Sequence, residues 1–276
     1  MSAAVRLRVC LAVALSAACV CSTAARGDGP IRKPSYDPDA ERVELFEGVE
    51  REQLSVRVAA RDAFHSNVYI TNATDRPLTV DLPDGAVAVH VLKQFAPPGG
   101  VLGANDNFDF GNQGNGAQQG QGAGQSVGGN FQGQGNNGAN QFAPNGFFSI
   151  PPGKTVQVPL ATVCLDHGRP NPSPKMTYVL RRLEDHTNDV VLRELIRGYD
   201  PEADDRLAVQ AAAWHRSSGL SWKELAAKTI KWGPVRYSHF TRRQVEQAQT
   251  LVSEAEELAE TAAERPEAKV ARRERR

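Results

Sequence analysis

The chain has 276 residues, with 32 basic and 32 acidic side chains, a formal net charge of zero, 40% hydrophobic residues and 7% aromatic residues. That length admits one large or two small domains. Balanced charge gives no overall electrostatic case for a nucleic-acid partner, and the moderate apolar content leaves part of the chain outside any core.

A basic start (Arg6, Arg8) precedes an apolar run over residues 9–20 and the small residues Ser22-Thr23-Ala24-Ala25. This pattern makes residues 1–25 a secretory signal peptide, cleaved after Ala24 or Ala25. The run falls short of the ~20 apolar residues a membrane-spanning helix needs. Ser16-Ala17-Ala18-Cys19 lacks a large apolar residue three positions before the cysteine, so lipid anchoring at Cys19 is not expected. No later segment is apolar enough to span a bilayer. The expected location is secreted or cell envelope.

Residues 26–50, with Pro30, Pro34 and Pro38, form a linker with a short helix near 40–46. Residues 51–96 begin a β-rich unit. Leu54-Ser55-Val56-Arg57-Val58-Ala59-Ala60 alternates as a half-buried strand does. Residues 67–72 and 78–82 form a hairpin across Thr74-Asp75-Arg76-Pro77, and 87–92 is a fourth strand. Asn72-Ala73-Thr74 fits a glycosylation sequon. In residues 97–145 Gly, Asn and Gln dominate, with Phe108, Phe110, Phe131 and Phe142 scattered among them. Such a segment cannot bury enough apolar surface to offset its ordering entropy, so it is expected to be a disordered loop. Insertion costs little, because loop-closure entropy grows slowly with length.

Residues 146–185 resume the β pattern: a strand at 147–150, the turn Pro151-Pro152-Gly153-Lys154, a strand from 155 to 165, and a last strand at 176–183. Short strands with regular turns predict an antiparallel β-sandwich interrupted by the insert. Residues 186–265 change to helical periodicity. An apolar stripe comprises Val190, Val191, Leu192, Leu195 and Ile196. Asp204 or Asp205 caps a helix through Ala211 and His215. Ser221-Trp222-Lys223-Glu224 has capping-box spacing before a helix through Leu225, Ala226 and Ile230. A long helix opens at Thr241 with Val245, Ala248, Leu251, Val252, Ala255 and Leu258 on one face. Residues 266–276 are a basic tail. The fold class is therefore α+β, an antiparallel β-sandwich followed by a C-terminal helical subdomain.

Of the 4 cysteines, Cys10, Cys19 and Cys21 lie in the leader, which leaves Cys164 as the mature chain's single thiol. Exported chains pair their cysteines or avoid them, so a left-over thiol implies burial, intermolecular pairing or reactivity. Acylation is one way to protect such a thiol from oxidation.

Gln210-Ala211-Ala212-Ala213-Trp214 resembles the Gln-x-Ala-(apolar)-Trp signature of bacterial thioester domains, with Val163-Cys164-Leu165 upstream on a β-element. The chain differs from that family in having Val209 before the glutamine and Val163 and Leu165, rather than aromatics, beside the cysteine. The resemblance implies a surface protein that joins Cys164 to Gln210 and captures a partner amine or other surface ligand. A second resemblance is to uncharacterised exported bacterial proteins with a glycine-rich insert. In the thioester reading Cys164 attacks the Gln210 side-chain carbonyl and expels ammonia, with proximity supplying the rate. Ala211, Ala212, Ala213 and Trp214 would keep water out, and His167 or His215 would move protons. Such a device turns over once, so no enzyme and no cofactor are expected. The alternatives are a Cys/His hydrolase, a metal site built from Cys164 and His167 with His186, His215 or His239, and a non-catalytic envelope interaction protein with a buried free cysteine.

Overall fold

The computed structural model describes residues 29–91, 124–131 and 147–263. Residues 1–25, expected to be a leader, the basic tail at 266–276, Phe108, Phe110 and Phe142 lie outside them. The fold is α+β, with a closed six-stranded barrel where the sequence suggests a sandwich. Its strands are β2 (Leu54–Ala60), β3 (His65–Asn72), β5 (Ala86–Val91), β6 (Val127–Asn130), β8 (Thr155–Cys164) and β9 (Thr177–Arg182). They run around the barrel in the order β2-β3-β8-β6-β5-β9, and Val58 opposite Tyr178 closes it. The remaining strands of the β-rich part, β1 (Glu41–Glu44), β4 (Leu78–Asp81) and β7 (Phe147–Ile150), form a separate sheet in the order β1-β4-β7.

The expected hairpin between residues 67–72 and 78–82 is therefore not formed: β3 pairs with β2 and β8, while β4 pairs with β1 and β7. Asn72 separates the two sheets. Its Nδ2 donates to Arg76 O at 2.7 Å and to Ile150 O at 2.9 Å, and its Oδ1 accepts from Thr74 N at 2.9 Å and Thr74 Oγ1 at 2.7 Å. The side chain is fully buried and fully bonded, so the folded chain leaves no room for glycosylation of the sequon.

From residue 29 onward the linker expected at 26–50 is also part of the folded body. Ile31 bridges to Val156, β1 lies against β4, and the helix near 40–46 starts later, as α1 (Leu45–Glu50). Val43, Leu45 and Phe46 are buried. Proline punctuation here marks a chain crossing the body in extended form, not one leaving it.

The low-complexity insert supplies a barrel strand. Gln125–Phe131 is buried, and β6 lies between β5 and β8. Phe131, expected in a disordered loop, belongs to the core. Glycine is what permits this. A Cβ on Gly128 would lie 2.7 Å from Ile196 Cδ1, and one on Gly129 would fall well inside contact distance of the Ala161 carbonyl oxygen. A helix packs over Gly128, and β8 approaches Gly129.

Helices α2 (Leu183–His186), α3 (Val190–Gly198), α4 (Arg206–Ser218), α5 (Trp222–Ala227) and α6 (Arg242–Ala263) complete the body. They share the core with the barrel: α4 packs on β8 and α3 on β6. Two helix starts follow the sequence. Asp205 Oδ1 accepts from Leu207 N at 2.8 Å, and the Ser221–Glu224 capping box is present. Asp189 caps α3 and also forms a two-pronged pair with Arg216 of α4. Three expectations fail in this region, the first being that Val190, placed on the apolar stripe of α3, is exposed. Ile230 leaves the helix to join β10 (Thr229–Trp232), which pairs with β11 (Val235–Ser238). On α6 Leu258 is exposed, while Val245, Ala248, Val252 and Ala255 are buried.

Candidate functional site

The site lies where β8 outruns its neighbour β3. Thr162 N donates to Phe64 O at 3.0 Å, which is the last backbone bond on that side of β8 before Cys164. Strand geometry directs the peptide groups of Cys164 the same way as those of Thr162, toward a place beyond the first residue of β3. The Gln210 side chain fills it. Cys164 N donates to Gln210 Oε1 at 2.9 Å, and Gln210 Nε2 donates to Cys164 O at 2.8 Å. The amide thus stands in for a strand residue and satisfies both buried peptide groups.

Two turns further along α4, Ser217 Oγ and Ser218 Oγ both donate to Leu165 O, at 2.5 and 3.0 Å, and His167 N donates to Ser218 Oγ at 3.1 Å. On the opposite edge Leu165 N donates to Ser126 O at 2.9 Å, and Ser126 N donates to Asp166 Oδ2 at 2.7 Å. The segment from Cys164 to His167 is therefore held by α4 on one side and by the strand carried in the insert on the other.

Structure and sequence agree that the Cys164 and Gln210 stretches face each other. Cys164 is 1% exposed and Gln210 2% exposed. Ala211, Ala212 and Ala213 are fully buried, so α4 approaches β8 on a face of small side chains. The thiol makes no disulfide. Burial, followed by the nearby charges of Asp166 and Asp62, pushes its pKa up to about 12. At neutral pH the thiolate fraction is then on the order of one in 10⁵.

The supporting residues separate into two groups. His167 meets Trp214 edge-on with centroids 4.8 Å apart, and its Nε2 lies 2.7 Å from Lys228 Nζ. Trp214 also stacks on His239 and meets Phe240 edge-on. His215 stacks instead on Trp222 at 3.9 Å, and its Nδ1 donates to Leu220 O at 2.7 Å. Both imidazoles thus have partners other than the thiol. Asp166 serves Ser126 and lies 3.7 Å from Arg169, so it does not orient His167. Lys228, Ser217 and Ser218 belong to the arrangement but are not apparent from the sequence, and His239, named there only as a candidate metal ligand, stacks on Trp214. The two serines end α4 at helical spacing from Gln210, which is the one visible signal. Among the described residues no group of three or more His, Cys, Asp or Glu is placed to hold a metal.

Scans against protein-family models, curated proteins and solved structures find no match.

Burial holds His167 below the ordinary imidazole value, with Lys228 adding to the effect. His239 is lowered by burial, then by Lys228 and His167. His186 is lowered by burial, with Asp166 opposing. Each group binds its proton more weakly folded than unfolded. Stability is therefore complete above the ordinary imidazole value and falls as the pH drops through it toward the lowered folded values. Urea midpoints are expected to fall between about pH 7 and pH 5. Lys228→Met should flatten that fall and raise the His167 titration midpoint seen by NMR. An unchanged His167 midpoint would remove Lys228 as a cause.

Proposed function

We propose that the protein is an exported, non-enzymatic binding protein of the cell envelope, in which Gln210 is a structural lock and Cys164 a buried free thiol. The observation that carries this reading is the pair of hydrogen bonds between the Gln210 amide and the Cys164 peptide groups. An amide held this way satisfies two buried peptide groups, and the thiol beside it stays protonated. The histidines offered as proton carriers have other partners. Export accounts for the leader, and burial accounts for a lone thiol surviving outside the cytosol. Among the described residues no helix is long and apolar enough to cross a membrane.

The test is thiol reactivity. Native protein should leave Cys164 unmodified by a thiol reagent, and denaturation should expose one more reactive thiol than in Cys164→Ser. Equal thiol counts in denatured wild type and Cys164→Ser would refute the free-thiol assignment.

The second reading is the Cys164–Gln210 thioester, and the direct approach of the two residues favours it. Formation would require Gln210 to release both bonds and turn its carbonyl carbon to the sulfur. The expelled ammonia takes up the thiol proton, and an incoming amine later restores the thiol.

A further inference from the structure

Residues 225–245 contain Lys228, Lys231, Arg236, Arg242 and Arg243 and no Asp or Glu, in a chain of zero net charge. The centre of this run is the ribbon of β10 and β11, which the sequence pattern placed partly in a helix. Its turn is Gly233-Pro234, with Gly233 at φ +61°, a conformation that favours glycine at the first position of a two-residue hairpin loop. His239 N donates to Lys228 O at 2.8 Å and closes the base.

Register sorts the ribbon into two faces. Ile230 lies opposite Tyr237, and Val235 stands two residues before Tyr237 on the same strand, so these three share one face. Lys231 lies opposite Arg236 on the other. Ile230, Val235 and Tyr237 are 46%, 47% and 49% exposed, and they are three of the seven large exposed apolar side chains among the described residues. This is a patch, not a scatter. The Lys231–Arg236 pair brings like charges directly opposite each other, which destabilises a ribbon unless an anion lies across it. Lys228 is turned to His167 and Arg242 pairs with Glu246, while Lys231, Arg236 and Arg243 have no ion pair among the described residues.

We infer that this ribbon docks on an anionic lipid surface, its apolar tip entering the interface and Lys231 and Arg236 meeting the phosphates. The inference rests on the reading of the protein as a non-covalent binder and supplies its partner class. Charge decides the occupant. A second copy paired edge to edge would set these cations against their own kind. A ribbon exposed on both faces offers no groove for a peptide. Aromatic and aliphatic side chains with cations close behind match the layering of a lipid interface.

The experiment is co-sedimentation of the whole secreted protein with mixed phosphatidylglycerol/phosphatidylcholine vesicles, with pure phosphatidylcholine vesicles and with heparin as a soluble polyanion. Expected are binding to the mixed vesicles alone and a fall in that binding with added salt. Lys231→Gln/Arg236→Gln should bind about thirtyfold more weakly, and Ile230→Ser/Tyr237→Ser about tenfold or more, both with unchanged melting temperatures. Binding to neutral vesicles equally well, insensitivity to salt in the wild type, or heparin binding untouched by Ile230→Ser/Tyr237→Ser would each overturn the inference. The last of these would indicate a soluble polyanion. An intact mass lacking one ammonia would instead refute the non-covalent reading and leave the vesicle result to be judged separately.

Discussion

Gln210→Leu should lower the unfolding free energy by about 3–5 kcal/mol, whereas Cys164→Ala should cost about 1–2 kcal/mol. The first removes the partner of two buried peptide groups, and each buried group left unpaired costs about 1–3 kcal/mol. Leucine restores some apolar packing, so the loss stays below the sum of the worst cases. Against a typical total of about 5–15 kcal/mol this is a large change, readable as a shift in urea midpoint. The cysteine change removes one small buried side chain and leaves the peptide groups of residue 164 bound to Gln210. Because Cys164→Ala leaves both of these hydrogen bonds in place, the double variant should lose more than either single variant, with a coupling smaller than the Gln210→Leu effect itself. A covalent Cys164–Gln210 link predicts the reverse, because either substitution alone would already break it and the second would add little.

Gly129→Ala should cost about 2–4 kcal/mol and Gly128→Ala about 1 kcal/mol. The difference follows from what the new methyl meets. At Gly129 it meets the backbone carbonyl of Ala161 in the paired strand, and Leu160 Cγ and Thr162 Cγ2 stand 3.0 Å away, so no rotamer clears it. At Gly128 the nearest atom is Ile196 Cδ1, the tip of a side chain that can turn. Gly198, where an added methyl would meet nothing within 4 Å, is the control, and Gly198→Ala should move stability by less than about 1 kcal/mol. Equal effects at residues 129 and 198 would mean that β6 does not hold the barrel position described.

Legibility followed the length scale of the interaction. Alternation located β2 and β8, and local capping chemistry at Asp205 and Ser221 located α4 and α5. These depend on neighbours within a few residues. Strand partnership was less readable. Thr74-Asp75-Arg76-Pro77 has turn chemistry, but Asn72 uses it to pass from one sheet to another, with Ile150 as a distant anchor. The strand β6 has no apolar alternation, because its value lies in lacking side chains where α3 and β8 press in. In composition alone such glycines look like disorder. The ribbon at 229–238 was visible in principle, from Gly233-Pro234 between two alternating runs, but the preceding capping box favoured continuation of the helix.

The candidate site was legible as a pairing of stretches, since a lone thiol and a glutamine among alanines each stand out. Its geometry was not. That Gln210 would meet the backbone of Cys164 depends on β3 beginning only at His65, after a turn in which Asp62 Oδ1 accepts from Phe64 N at 2.8 Å and His65 N at 2.9 Å. Sequence carries no sign that this start leaves the end of β8 for a helix side chain to complete.

The intact mass of the purified protein tests the structural lock most directly. The expected result is the full mass calculated from the sequence of the purified chain, unchanged after methylamine treatment. A mass lower by one ammonia, raised by methylamine with the appearance of a thiol at Cys164, would contradict it.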